Sequence, residues 1–135
     1  MKLGFIVNPI AGMGGRVGLK GTDGVLKEAI ARGAKPIAPK RAVEFLKSLK
    51  EEDIQGLNIE LITCPGIMGE KEVEKAGLKA KILPMKLGEE TSAEDTKNAV
   101  ELLAAEKVDL IVFVGGDGTA KDIFDAIQKL SLIHI

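Results

Sequence analysis

The chemistry-bearing residues of this chain crowd into one run, Gly115-Gly116-Asp117-Gly118-Thr119. The apolar stretch before it, residues 110–114, has the length and β-branched content of a strand buried on both faces. After it, Ala120, Ile123, Phe124 and Ile127 fall at i, i+3, i+4 and i+7, the spacing of a helix face. Strand, glycine-rich turn and helix in that order aim backbone N–H groups at a phosphate. A carboxylate held there stands where Mg²⁺ or an attacking hydroxyl would be, so the pattern points to phosphoryl transfer. Helix capping alone accounts for Asp117 or Thr119. It does not account for the glycines around them, each of which costs conformational entropy.

A second candidate loop lies near the N-terminus. Between Asn8 and Gly24, glycine recurs at 12, 14, 15, 18, 21 and 24, with Arg16 and Lys20 adding positive charge. Such a loop brings bare backbone close to a ligand, because no Cβ intervenes. It reads as a phosphate cradle or as a plain surface loop, and its length and glycine density favour the cradle. Two familiar alternatives fail. The G-x-x-x-x-G-K-[ST] spacing is mis-phased between Gly15 and Lys20, and G-x-G-x-x-G meets Val17 where its third glycine belongs.

The remaining polar candidates sit at helix starts. Thr91 and Glu94 are spaced as a capping box. Thr91, Ser92 and Asp95 could equally touch a nucleotide. Glu70 either lines the site or serves as a helix-start carboxylate. Cys64 reads as a small buried apolar residue.

These residues must be positioned by alternating strands and helices. Residues 3–7 form a first buried strand, closed by Asn8-Pro9. Val25, Leu26, Ala29 and Ile30 make a short helix ended by Gly33. A helix with Pro39 in its first turn carries Ala42, Phe45, Leu46 and Leu49, and Gly56 stops it. Residues 57–63 form a second strand, with Asn58 and Glu60 outward. A short helix over 69–76 and a third strand over 80–83 follow, the strand broken by Pro84. Thr96, Ala99, Val100, Leu103 and Ala104 form the buried stripe of the next helix. The expected fold is α/β: an open parallel sheet of about four to five strands with helices on both faces. Both glycine-rich turns leave strand C-termini, the rim where ligands bind in open α/β sheets.

The two turns resemble the signatures of the NAD kinase and diacylglycerol kinase superfamily. Gly115-Gly116-Asp117-Gly118-Thr119 matches one, and Asn8-Pro9-Ile10-Ala11-Gly12-Met13-Gly14-Gly15 the other. The continuation Arg16-Val17-Gly18-Leu19-Lys20-Gly21-Thr22-Asp23-Gly24 is similar to the ATP- or polyphosphate-dependent NAD kinases grouped with acetoin-catabolism X proteins. The resemblance runs from Lys2 to about Lys129 and implies a Rossmann-like three-layer N-terminal domain. It further implies transfer of a phosphoryl group from ATP or polyphosphate to the 2′-hydroxyl of NAD, with Mg²⁺ or another divalent cation. Asp117 would orient or deprotonate the acceptor hydroxyl, or meet the metal. Asn8, Gly12, Gly14, Gly15, Thr91, Gly115, Gly116, Gly118 and Thr119 would contact nucleotide or phosphate. Family members carry a second, β-rich domain, and the resemblance further implies a homo-oligomer for the full-length protein. That domain is not in this sequence, so the expectation is little turnover by these 135 residues alone. A lipid or sphingoid-base kinase, or a non-catalytic nucleotide-binding regulator, shares the same turns.

Composition bounds the rest. Apolar residues make up 45%, enough for a core, and 19 basic against 20 acidic side chains give no broad field for nucleic acid or membrane. Four Phe with no Trp or Tyr leave no stacking platform for bases. One cysteine excludes an internal disulfide. With no leader pattern and no membrane-length apolar run, the expected place is the cytoplasm. Residues 130–135, Leu-Ser-Leu-Ile-His-Ile, match letter for letter the translated read-through of a transposon-type sequencing adapter. The expected domain is therefore 1–129, with 130–135 an adapter-derived tail. The other reading of that tail is an apolar strand.

Overall fold

The structure, a computed structural model, describes residues 1–10, 37–51, 58–88 and 91–129. The sequence-predicted helix over residues 25–30, the loop glycines from Gly12 to Gly24 and the 130–135 tail lie outside them.

Strand β1 (Lys2–Val7) is buried at every position after Lys2, and it is the centre of the molecule. It pairs in parallel with β2 (Glu60–Thr63) on one side and with β4 (Leu110–Val114) on the other. A two-residue β3 (Lys81–Ile82) pairs with β2, giving the order β3-β2-β1-β4. The described helices are α1 (Ala38–Glu51), α2 (Glu70–Lys75), α3 (Ala93–Ala105) and α4 (Asp117–Lys129).

The period of two along β1 sorts its side chains between two cores. Leu3, Phe5 and Val7 face Ala38, Ala42 and Leu46 of α1, Val73 of α2 and Ala76, the C-cap of α2. Phe5 stacks on Phe45, with ring centroids 6.0 Å apart. Ile6 faces the other way, toward Ala99, Val100 and Leu103 of α3 and Ile123 and Ala126 of α4. Each large apolar side chain so buried stabilises the fold by roughly 1.5–3 kcal/mol. Gly4 lets α3 come close, since a Cβ there would lie 2.9 Å from a Leu103 methyl. The result is the expected three-layer α/β arrangement with an all-parallel sheet.

Four local readings change. Strand β2 starts at Glu60, because Asn58 takes φ 55° and forms a turn. Asparagine tolerates that left-handed conformation, and it ends any extended run. The capping box is shifted by one residue: Ser92 is the N-cap of α3, and its N–H donates to Asp95 Oδ2 at 2.9 Å. Helix α4 begins at Asp117, three residues before the apolar pattern, so the acid stands within its first turn. Finally, β4 is not buried on both faces. It has one neighbour among the described strands, and Leu110 is 51% and Phe113 36% exposed, lining one shallow cavity with Phe124 at 51%.

Candidate functional site

The two bends that leave β1 and β4 are neighbours. The register pairs Val7 with Val114, the last residues of both strands. One residue further on, the Asn8 N–H donates to the Val114 carbonyl at 2.9 Å. Asn8 and Gly115 therefore enter their turns side by side at the C-terminal rim. The opposite end of this strand pair is closed by Asp109, whose Oδ2 accepts the Lys2 N–H at 2.7 Å.

Because β1 connects onward to β2 on one side while β4 lies on the other, this is the point where the strand order reverses. In a parallel sheet the connections leave such a point in opposite directions and open a crevice there.

Asn8 spends its side chain within the protein. Its Oδ1 accepts the Ile10 N–H at 3.2 Å, which folds the chain over Pro9. Its Nδ2 donates to Thr119 Oγ1 at 2.9 Å, joining segments 111 residues apart. Thr119 is only 4% exposed.

The glycines of the second bend separate by role. At Gly115 a Cβ would stand 2.6 Å from Thr119 Oγ1 and 2.7 Å from Thr119 Cβ, so the bend closes only with glycine there. At Gly116 and Gly118 a Cβ would meet nothing within 4 Å. None of the three has a positive φ; among the described glycines that conformation belongs to Gly66, Gly69 and Gly77. Left-handed backbone therefore does not explain Gly116 or Gly118. They leave bare, exposed backbone facing open space, the condition for close approach of a ligand.

Gly116 also supplies the first helical acceptor, taking the Ala120 N–H at 3.1 Å. The N–H groups of Asp117, Gly118 and Thr119 thus belong to the first turn of a thirteen-residue helix and lack intrahelical partners. They carry the positive end of its dipole. Asp117 is exposed in that same turn. The rim thus offers N–H donors, a positive helix end and an accessible carboxylate together, a set suited to a phosphate and an adjoining hydroxyl.

Thr91 stands just before α3, the helix that leads into β4. Its Oγ1 is buried without a hydrogen-bond partner, so the capping role expected of it falls to Ser92. Glu70 accepts the Gly66 N–H at 2.9 Å and ties down the turn after β2. Cys64 is fully buried, and burial, helped by nearby Asp95, pushes its thiol up to about 12. Gly12, Gly14 and Gly15 lie outside the described residues.

A divalent cation fits here only in part. Among the described residues there is no group of three or more His, Cys, Asp or Glu side chains able to hold a metal. The exposed Asp117 suits Mg²⁺, which characteristically takes one or two carboxylates and completes its shell with substrate phosphates and water.

Sequence reasoning passed over Glu72. It is 2% exposed, its Oε2 has no hydrogen-bond partner, and burial raises its carboxyl above the usual range. Hydrogen bonds from the Glu72 and Gly69 N–H groups and the charge of Lys75 pull the other way. The spacing Gly69-x-x-Glu72 is that of an N-cap and its N3 acid, a signal the sequence does contain.

Among the described residues no helix is long and apolar enough to cross a membrane. The family model described as "ATP-NAD kinase N-terminal domain" matches residues 3–132. No curated protein and no solved structure matches the chain significantly.

Proposed function

The chain belongs to the ATP-NAD kinase N-terminal domain family, and on that premise we propose that it positions a phosphoryl donor against the 2′-hydroxyl of NAD's adenosine ribose. The observation that carries this reading is the junction of the two bends. It sets the exposed Asp117 carboxylate and the bare backbone of Gly116 and Gly118 at the switch point of the sheet.

In phosphoryl transfer a protein chiefly positions groups and neutralises charge. The first-turn N–H groups of α4 hold donor phosphate oxygens. Asp117 orients the acceptor hydroxyl and takes its proton as the new P–O bond forms, while the donor's bridging P–O bond breaks. Thr91, with an unsatisfied buried hydroxyl, is the candidate nucleotide contact just before α3. Gly12, Gly14 and Gly15 extend the phosphate cradle in this reading. Asp117 would hold a divalent cation together with the donor phosphates, and such an ion offsets the charge that develops on them.

The Arg16–Gly24 continuation supports the ATP- or polyphosphate-dependent branch.

The test is full-length protein carrying Asp117→Asn, assayed for NADP with ATP or polyphosphate as donor. Loss of at least about a hundredfold in kcat with an unchanged unfolding midpoint is expected. Unchanged kcat refutes the role of Asp117. A wild-type protein that phosphorylates a sphingoid base or diacylglycerol and not NAD refutes the acceptor.

A further inference from the structure

We propose that Asn8 and Thr119 are a positioning pair and not ligand contacts: the hydrogen bond between them sets where Asp117 stands relative to the turn over residues 8–10. This rests on the phosphotransferase reading of the site.

Three observations carry it. The backbone ladder between β1 and β4 ends at Val7 and Val114, with the Asn8 N–H to Val114 carbonyl bond as its last rung. Past that rung, among the described residues, the Asn8 Nδ2 to Thr119 Oγ1 bond at 2.9 Å is the hydrogen bond that joins the two bends. Second, the Asn8 amide is committed on both sides, with Oδ1 on the Ile10 N–H and Nδ2 on Thr119. An amide so committed keeps one N–H and one lone pair for anything else. Third, Thr119 is buried in the first turn of α4 and wedged against Gly115, two residues from Asp117. Any shift of Thr119 is therefore carried to the carboxylate. The turn over residues 8–10 is thereby mechanically tied to the helix turn that carries Asp117.

A positioning pair and a phosphate contact differ in what they do to kinetics. Losing a contact raises the donor KM. Losing alignment lowers kcat, and misplacement by about 1 Å costs roughly a hundredfold. The variants are Asn8→Ala, Thr119→Val, their double, and Asn8→Asp, in the full-length protein. Asp at position 8 still accepts the Ile10 N–H, and its other oxygen can accept the Thr119 hydroxyl proton, which re-forms the bridge with reversed polarity.

The expected result is a kcat loss of roughly ten- to a hundredfold for both single variants, with donor KM within about threefold of wild type. The double variant is expected to be no worse than either single one. Asn8→Asp should recover kcat above Asn8→Ala. A raised donor KM with intact kcat, additive losses, or Asn8→Asp poorer than Asn8→Ala would overturn the proposal, because a carboxylate cannot replace an amide facing phosphate.

If wild-type protein transfers phosphate from no donor, the reading of the function fails instead. Amide hydrogen exchange on the 135-residue chain then decides the bridge. Exchange at the Ala120 N–H, held by the Gly116 carbonyl in the Thr119 turn, should quicken about tenfold in Asn8→Ala, and unchanged exchange there overturns it.

Discussion

Replacing Gly118 by Ala separates what the fold needs at the Asp117 turn from what a ligand needs. A Cβ at Gly118 meets nothing within 4 Å, and its φ is not positive. Position 118 lies in the first turn of α4, so alanine gains helix propensity and restricts the unfolded chain. The expected gain is about 0.4–1 kcal/mol. For a domain of this size that raises the unfolding midpoint by roughly 2–5 °C. The control is Gly115→Ala, where the new Cβ would stand 2.6–2.9 Å from three side-chain atoms of the buried Thr119. Overpacking of that kind costs about 1–3 kcal/mol. Urea unfolding of the two single variants should therefore give opposite signs. In the full-length protein, donor KM should rise at least about tenfold for Gly118→Ala, near 1.4 kcal/mol, because the methyl occupies space left for phosphate. Destabilisation by Gly118→Ala equal to that of Gly115→Ala would refute the steric reasoning. A stabilised Gly118→Ala with unchanged donor KM would refute the claim that the open backbone serves a ligand.

Gly69→Ala should destabilise strongly, by about 2–4 kcal/mol, since φ is +152° and the new Cβ would overlap the Thr63 hydroxyl that donates to the Phe5 carbonyl; urea unfolding measures it. Glu72 carries a pH dependence of defined sign. Its folded carboxyl is raised above its unfolded value, so its contribution is most favourable below the unfolded value and is lost as pH rises through the folded one. Glu72→Gln should therefore gain stability over wild type at pH 8 and show less gain at pH 4, read from paired urea curves. The Cys64 thiol, pushed up to about 12 and fully buried, should resist iodoacetamide at pH 8 until the chain unfolds, with mass spectrometry following the labelling.

The sequence by itself determined the layer plan and that a glycine-flanked acid stands in the turn after β4. Unbroken apolar runs at 3–7 and 110–114, separated by 3.6-period segments, allow little but a parallel sheet between helices. Glycine on both sides of Asp117 marked the turn, because few structural roles need that composition. Strand neighbours were another matter. Whether β4 lies beside β1 depends on which side each crossover takes, and that choice put the two bends in contact. Leu110 and Phe113 are also exposed, on a strand whose composition suits full burial.

The Asn8–Thr119 bond spans 111 residues and has no local signature. The same holds for the glycines. In sequence Gly115, Gly116 and Gly118 are equivalent, and only the position of Thr119 makes the first a packing requirement and leaves the other two open. Local composition states which backbone is free to approach a ligand. Tertiary packing decides which of that freedom the fold itself has already used.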